Sequence, residues 1–252
     1  MLIKAILFDL FDTLLLIEGG ESFYEPCLTK LYEVLAKHGV NVAYEKFKQV
    51  YFKIRDKLYV ETAKNLEEPH FNVRISQTLK ELGYNYDVSH PTVVEATETF
   101  ANQFTQYVHL DEDALSVLQE LKKKHKLGLV SNFAIPECAW KLLETFKLET
   151  FFDVVVISGE INKRKPSREI FQKALDTLSV SASEAIFVGD TLSMDVKGPK
   201  ALGMKAVLIQ RQTATTDTPE SFVWKPPKED ENAKPDVIIK RLKELSVAIN
   251  NF

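Results

Sequence analysis

The stretch Ile3-Lys4-Ala5-Ile6-Leu7-Phe8 stops at Asp9, and Leu10-Phe11-Asp12-Thr13-Leu14 follows. A continuous rather than alternating apolar run fits a strand buried on both faces, and such strands belong to parallel sheets covered by helices. A carboxylate at the carboxyl end of a buried strand is costly unless something pairs with it. In open parallel sheets that edge is also where ligands bind. Two later runs behave in the same way: 127–130 ends at Ser131-Asn132, and 185–188 ends at Gly189-Asp190 with Asp195 just beyond. If the three strands are parallel neighbours, their ends converge on one site.

The rest of the chain divides by period. After a break at Glu18-Gly19-Gly20-Glu21, residues 22–108 carry only helical spacing. Leu28, Leu31, Tyr32 and Leu35 mark a first helix, closed by Lys37-His38-Gly39. Phe47 to Leu58 marks a second, Val73 to Leu82 a third closed by Gly83, and Val93 to Phe104 a fourth. From 109 onward strands and helices alternate: helix near 115–121, strand 127–130, helix 136–146, strand 153–157, helix 170–178, strand 185–188, helix 192–202, strand 206–209. A final strand at 235–239 and a helix to about 248 close the chain, after a loop at 212–235 rich in Thr, Pro, Lys and Glu. The pattern predicts an α/β fold: a Rossmann-like parallel sheet flanked by helices, formed by 1–17 and 109–252, with an all-helical cap inserted at 18–108. Gly19-Gly20 and the segment 107–111 are its expected hinges, and Phe222 and Trp224 in the long loop could fold over the pocket.

Charge and cysteine content exclude several classes of partner. With 32 basic and 36 acidic residues the net charge is -4, which gives no basic footprint for nucleic acid or an anionic membrane. No apolar stretch is long enough to span a bilayer, and Asp9 and Asp12 interrupt what would be the core of a secretion signal. Cys27 and Cys138 have no metal-ligand spacing and read as two reduced, packed thiols, as expected of a cytoplasmic protein. The five histidines form no cluster; His38 and His125 sit at helix ends, where a cation suits the dipole. Neither a dinucleotide fingerprint nor a Walker loop is present.

The chemistry concentrates on a few positions. Asp9, Asp190 and Asp195 at strand ends would put three negative charges in a small volume, which either raises their pKa values or holds a cation. Hard oxygen ligands in small number suit Mg²⁺, which keeps waters and bridges to substrate phosphate. Ser131 and Asn132 add donors for anionic oxygens, and Lys165 in Lys163-Arg164-Lys165-Pro166 adds a positive charge. Taken singly, each has a structural explanation: a turn aspartate, a helix cap, an exposed lysine. Their joint occurrence, each at a strand end, points to a phosphoryl-transfer site.

These motifs resemble those of the haloacid dehalogenase superfamily. Asp9-Leu10-Phe11-Asp12-Thr13-Leu14 is similar to its first motif, Val130-Ser131-Asn132 to its second, Lys165-Pro166 to its third, and Val188-Gly189-Asp190-Thr191-Leu192-Ser193-Met194-Asp195 to its fourth. The resemblance implies that Asp9 is the nucleophile and forms an aspartyl-enzyme intermediate, with Thr13 orienting it. It implies Mg²⁺ held by Asp9, the Phe11 backbone carbonyl, Asp190 and Asp195, and a small-molecule phosphomonoester held by Ser131, Asn132 and Lys165.

One position departs from the pattern. Phosphatases of the family carry a second aspartate two residues after the nucleophile, where it protonates the leaving oxygen; here that residue is Phe11. General acid–base catalysis is worth roughly 10²–10⁴ in rate, so the acid step is weakened unless Asp12 turns inward, and Asp12 is expected to hydrogen-bond its loop instead. Dehalogenases of the family also carry an aromatic residue there, because a halide leaves without a proton, which makes a 2-haloacid dehalogenase the rival reading. Asp190 weighs against it. A third reading is a binding protein that has lost catalysis, opposed by the intact Asp9, Lys165 and Asp190. Tyr24, Arg55 and Arg74 are candidate substrate contacts from the helical insertion.

Overall fold

The computed structural model describes residues 2–211 and 234–249, together with Phe252. Three of the apolar runs become adjacent strands: β1 (Ala5–Phe8) lies between β4 (Lys126–Ser131) and β6 (Ala185–Gly189). With β5 (Val154–Ile157), β7 (Lys205–Ile209) and β8 (Val237–Ile239) they form a parallel sheet in the order β5-β4-β1-β6-β7-β8. Every residue of β1 and β6 is buried. Side chains alternate across a strand, so Ile6 and Phe8 enter one layer while Ala5 and Leu7 enter the other, against Ile170, Phe171 and Ala174. The helices that cover the sheet are α5 (Ala114–Leu121), α6 (Pro136–Thr145), α7 (Ser158–Ile161), α8 (Arg168–Leu178), α9 (Lys197–Leu202) and α10 (Leu245–Ile249). This is the α/β fold expected from the alternating periods.

Register sets the site. Phe8 pairs with Leu129 on one side and Val188 on the other, so Asp9 emerges beside the carboxyl ends of both neighbours. The Asp9 N–H still donates to the Val188 carbonyl at 2.8 Å, which carries the ladder one residue past the strand and fixes the backbone at the carboxylate.

Four helices lie between β1 and α5: α1 (Tyr24–Lys37), α2 (Tyr44–Ala63), α3 (Phe71–Glu81) and α4 (Pro91–Phe104). Leu28, Leu31 and Leu35 are fully buried, and α1 packs on α4 while α2 packs on α3. α1 and α3 stop where Gly39 and Gly83 take left-handed φ values of 88° and 92°. His70 and His90 close the starts of α3 and α4, each ring accepting from the backbone N–H two residues on.

Two expectations need correction. The segment 107–111 is no free linker: β2 (Leu15–Ile17) and β3 (Val108–Leu110) pair as an antiparallel ribbon, with Leu15 opposite Leu110 and Ile17 opposite Val108, while Gly19-Gly20 lies beyond it. Both passages into the helices therefore run side by side and satisfy each other's backbone groups, which loose hinges in contact with the core would leave unpaired. The helix expected over 192–202 is broken. Leu192–Val196 forms a π turn, and α9 starts only at Lys197. π bulges are frequent at functional sites, and here the wider turn lets the Asp195 carboxylate fold back onto the Thr191 N–H at 3.0 Å. Phe222 and Trp224 lie outside the described residues.

Candidate active site

The three aspartates meet. Asp9, Asp190 and Asp195 each offer a carboxylate oxygen, and these oxygens lie within 4.8 Å of one another. Lys165, only 2% exposed, stands between two of them: its Nζ donates to Asp9 Oδ1 at 2.6 Å and lies 2.8 Å from Asp195 Oδ1. Three carboxylates against one ammonium leave an excess of two negative charges when all are ionised. Burial, with Lys165 opposing and Asp195 adding to it, pushes Asp9 up to about 6. Burial together with Asp9 and Asp195 pushes Asp190 up to about 8. Burial disfavours the charged Lys165, but Asp195 and Asp9 outweigh it and hold the lysine above its ordinary range.

Backbone geometry admits this crowding at one point. A Cβ on Gly189 would fall 2.5 Å from the Asp195 carboxylate, so only glycine at the end of β6 lets Asp195 close in. Asn132 fixes the lysine: its Oδ1 accepts from the Lys165 N–H at 2.7 Å and its Nδ2 donates to the Lys165 carbonyl at 3.1 Å. The amide that was expected to bind substrate is thus engaged in holding the Lys165 backbone. Ser131 and Thr13 are fully buried, and neither hydroxyl has a hydrogen-bond partner within the protein. Buried hydroxyls without partners are costly; Ser131 at the carboxyl end of β4 and Thr13 four residues after Asp9 fit a site that completes its bonding with a bound ligand.

The loop after Asp9 is pinned by its own Asp12 side chain and by Arg211. Asp12 takes a left-handed φ of 53° and its Oδ1 accepts from the Ile17 N–H at 3.2 Å, so it bonds its own loop, as the sequence led us to expect. Arg211, just past β7, was not anticipated. Its guanidinium donates to the carbonyls of Asp12 at 3.1 Å and Thr13 at 2.7 Å and pairs with the buried Asp111 at 2.8 Å. One side chain thus ties the end of the sheet, the loop after the nucleophile and the end of the ribbon. Nothing but its place two residues past an apolar run marked it in the sequence.

Phe11 faces the helical insertion. Its ring lies 4.8 Å from that of Phe133 and 5.6 Å from that of Phe104. Together they line a cavity of about 270 Å³ between the sheet edge and the helices, which also takes in Asn132, Tyr24 and Arg74. Of the three contacts expected from the insertion, Tyr24 and Arg74 therefore reach this cavity. Arg55 instead stacks on Phe52 at 4.6 Å and pairs with Asp56. The insertion is seated on the core around the rim. The Arg164 N–H donates to the Leu66 carbonyl, the Phe71 N–H to the Ala134 carbonyl, and Arg164 Nη1 to Thr62 Oγ1 at 2.9 Å. Cys27 and Cys138 are buried free thiols, pushed up to about 12 by burial, and so inert. Among the described residues no helix is long and apolar enough to cross a membrane.

Comparison with known proteins agrees with this geometry. Residues 43–209 match the profile of the haloacid dehalogenase-like hydrolases. The chain belongs to that family and is a hydrolase. A glyceraldehyde 3-phosphate phosphatase of Pyrococcus abyssi is 32% identical over 209 residues, covering 82% of this chain and 81% of its own. The corresponding phosphatase of Pyrococcus furiosus is also 32% identical, over 81% of this chain and 80% of its own. Within the family the chain thus stands with the phosphatase-like members. Two solved structures share the fold over nearly the whole length: a 2-haloacid dehalogenase from Pseudomonas syringae pv. Tomato (TM-score 0.73, 23% identity, 99% of each chain) and a phosphatase of the family from Thermococcus onnurineus (TM-score 0.63, 24% identity, 98% of each chain).

Proposed function

We propose that this hydrolase is a Mg²⁺-dependent phosphomonoesterase that works through an aspartyl phosphate on Asp9 with a weakened acid step. The observation that carries the reading is the cluster of three carboxylates around Lys165, together with two buried hydroxyls without partners. The Asp9 carboxylate attacks phosphorus in line; its O–P bond forms as the bond to the leaving oxygen breaks. Water then attacks the same phosphorus, and Asp9 is freed with inorganic phosphate. Thr13 orients Asp9, while Ser131 and Lys165 hold the phosphoryl oxygens. Asp9, Asp190, Asp195 and the Phe11 carbonyl would hold Mg²⁺, which supplies the positive charge that such transfers require. The helical insertion, read as a cap over 18–108, encloses the site and keeps bulk water from it.

The leaving oxygen meets no acid from this loop, because Phe11 is held in an aromatic cluster and Asp12 bonds its own turn. Leaving groups of low pKa, such as aryl or acyl phosphates, should therefore turn over faster than alkyl phosphates. Phosphate release from a series of esters, measured with Mg²⁺ and with a chelator, tests both parts. A rate that climbs as leaving-group pKa falls and vanishes with the chelator is expected; a flat series removes the acid-step argument. Chelator-resistant halide release from 2-haloacids, with no phosphate release, would replace this reading by the dehalogenase one. The phosphatase relatives bring a phosphorylated triose into consideration as substrate, and the two free buried thiols suit work in the cytoplasm.

A further inference from the structure

We infer that the cavity between the sheet edge and the helices is a leaving-group pocket for an aromatic ring carrying a carboxylate at its far end, and that Arg74 reads that carboxylate. The inference deepens the phosphomonoesterase reading by naming its substrate class.

The walls argue for the ring. Phe11, Phe104 and Phe133 form one side, and Phe23 meets Phe104 with centroids 5.0 Å apart. Phe71 and Phe100, tilted against each other with centroids 4.9 Å apart, also line it. Aromatic pairs prefer tilted and edge contacts at these separations, so a further flat ring joins the cluster without loss. A volume of about 270 Å³ equals roughly nine waters at ~30 Å³ each, enough for one substituted ring. A triose would instead set its hydroxyls against phenylalanine faces, where their hydrogen bonds to water have no replacement.

Arg74 argues for the carboxylate. Its Nη1 donates to the hydroxyls of Tyr24 at 3.1 Å and Tyr51 at 3.2 Å, and its guanidinium lies 5.1 Å from the Phe71 ring centroid. Its Nε is buried without a hydrogen-bond partner. Among the described residues no carboxylate forms a salt bridge with it; the buried Glu68, on the same cavity, feels both Arg164 and Arg74. A guanidinium held by tyrosine hydroxyls, that of Tyr59 among them, and paired with no carboxylate keeps its full charge on the cavity wall. Arginine recognises carboxylates better than any other side chain through its planar donor set.

Binding separates this inference from the catalytic one. Calorimetric titration of the whole protein with 4-hydroxybenzoate, the alcohol such an ester would release, should show binding in the millimolar range or tighter, and phenol should bind more weakly. Arg74→Gln should weaken 4-hydroxybenzoate about tenfold or more, the usual loss for a charge-assisted hydrogen bond, and leave phenol within about threefold. Arg74→Lys should recover part of the loss. Because Arg74 also ties Tyr24 to Tyr51, Phe104→Leu is the second probe; it should weaken both ligands alike. Absence of binding, or equal loss of both ligands in a folded Arg74→Gln protein, overturns the pocket assignment. If 4-hydroxybenzoate binds through Arg74 but neither 4-carboxyphenyl phosphate nor phenyl phosphate is hydrolysed, the pocket stands and the phosphomonoesterase reading falls. If glyceraldehyde 3-phosphate is cleaved with higher kcat/KM than 4-carboxyphenyl phosphate, the aromatic substrate class falls and the phosphomonoesterase reading stands.

Discussion

The two walls of the site are built on opposite principles. On the sheet side, Asp9, Asp190 and Asp195 follow the ends of parallel strands, Ser131 closes another, and Lys165 pairs with Asp9 and Asp195 at 2.6–2.8 Å. On the helical side, rings from four separate segments make a largely aromatic surface that also carries Arg74 and Glu68. The first wall carries charge that any phosphoryl transfer needs; the second carries shape. Changes on the sheet side should alter turnover of every substrate, and changes on the helical side should alter the choice among them.

The largest test of that division is Asp9→Asn. It should abolish phosphate release from all esters, a loss on the order of 10⁴ or more as for removal of other covalent nucleophiles, with the fold intact by circular dichroism. Residual turnover on one class only would break the division. Next, Lys165→Met should destabilise the protein by about 3–5 kcal/mol in urea unfolding, because it leaves buried Asp9 and Asp195 without their cation. Phe11→Asp sits where the two walls touch. It should raise turnover of alkyl phosphates by up to ~10²-fold and change aryl phosphates little; equal gains on both would mean that Phe11 acts through shape alone.

The smallest effect expected is on stability. Asp190 is protonated more readily in the folded chain, at about 8, than at its ordinary 3.8. Such a carboxyl binds more protons folded than unfolded, so it costs stability as pH rises from about 4 and the cost is complete near 8. Asp190→Asn should therefore raise the metal-free Tm by a few degrees at pH 8, little at pH 4, and should remove the further rise that Mg²⁺ gives the parent protein. A lower Tm at pH 8 would show that Asp190 is held by something other than the repulsive cluster.

Legibility followed the same division. β1, β4 and β6 could be read because their apolar runs are continuous and each ends abruptly in a polar residue; Asp9, Lys165, Asp190 and Asp195 came with them. The charged wall is thus local in sequence. The ribbon was hidden, since β2 and β3 have three residues each and pair across about ninety others, so neither carries a period of its own. Gly189 was visible as a motif residue, but the reason for it, the approach of Asp195, exists only in three dimensions. Of the cavity's helical side only Tyr24 and Arg74 could be read: Phe11, Phe71, Phe104 and Phe133 belong to different segments, and each alone looks like an ordinary core residue. Arg211 stayed silent because its partners are two backbone carbonyls and the distant Asp111, which leave no trace in side-chain pattern.

The ribbon has one more consequence. Because Ile17 lies opposite Val108 in an antiparallel pair, the intervening stretch enters and leaves at a single point, as the loop of an oversized hairpin does. A two-residue Asn-Gly turn fits such a gap. Evolution could therefore exchange the whole helical bundle, or enlarge it, without disturbing one hydrogen bond of the six-stranded sheet, and new specificities could be grafted onto an unchanged reaction centre.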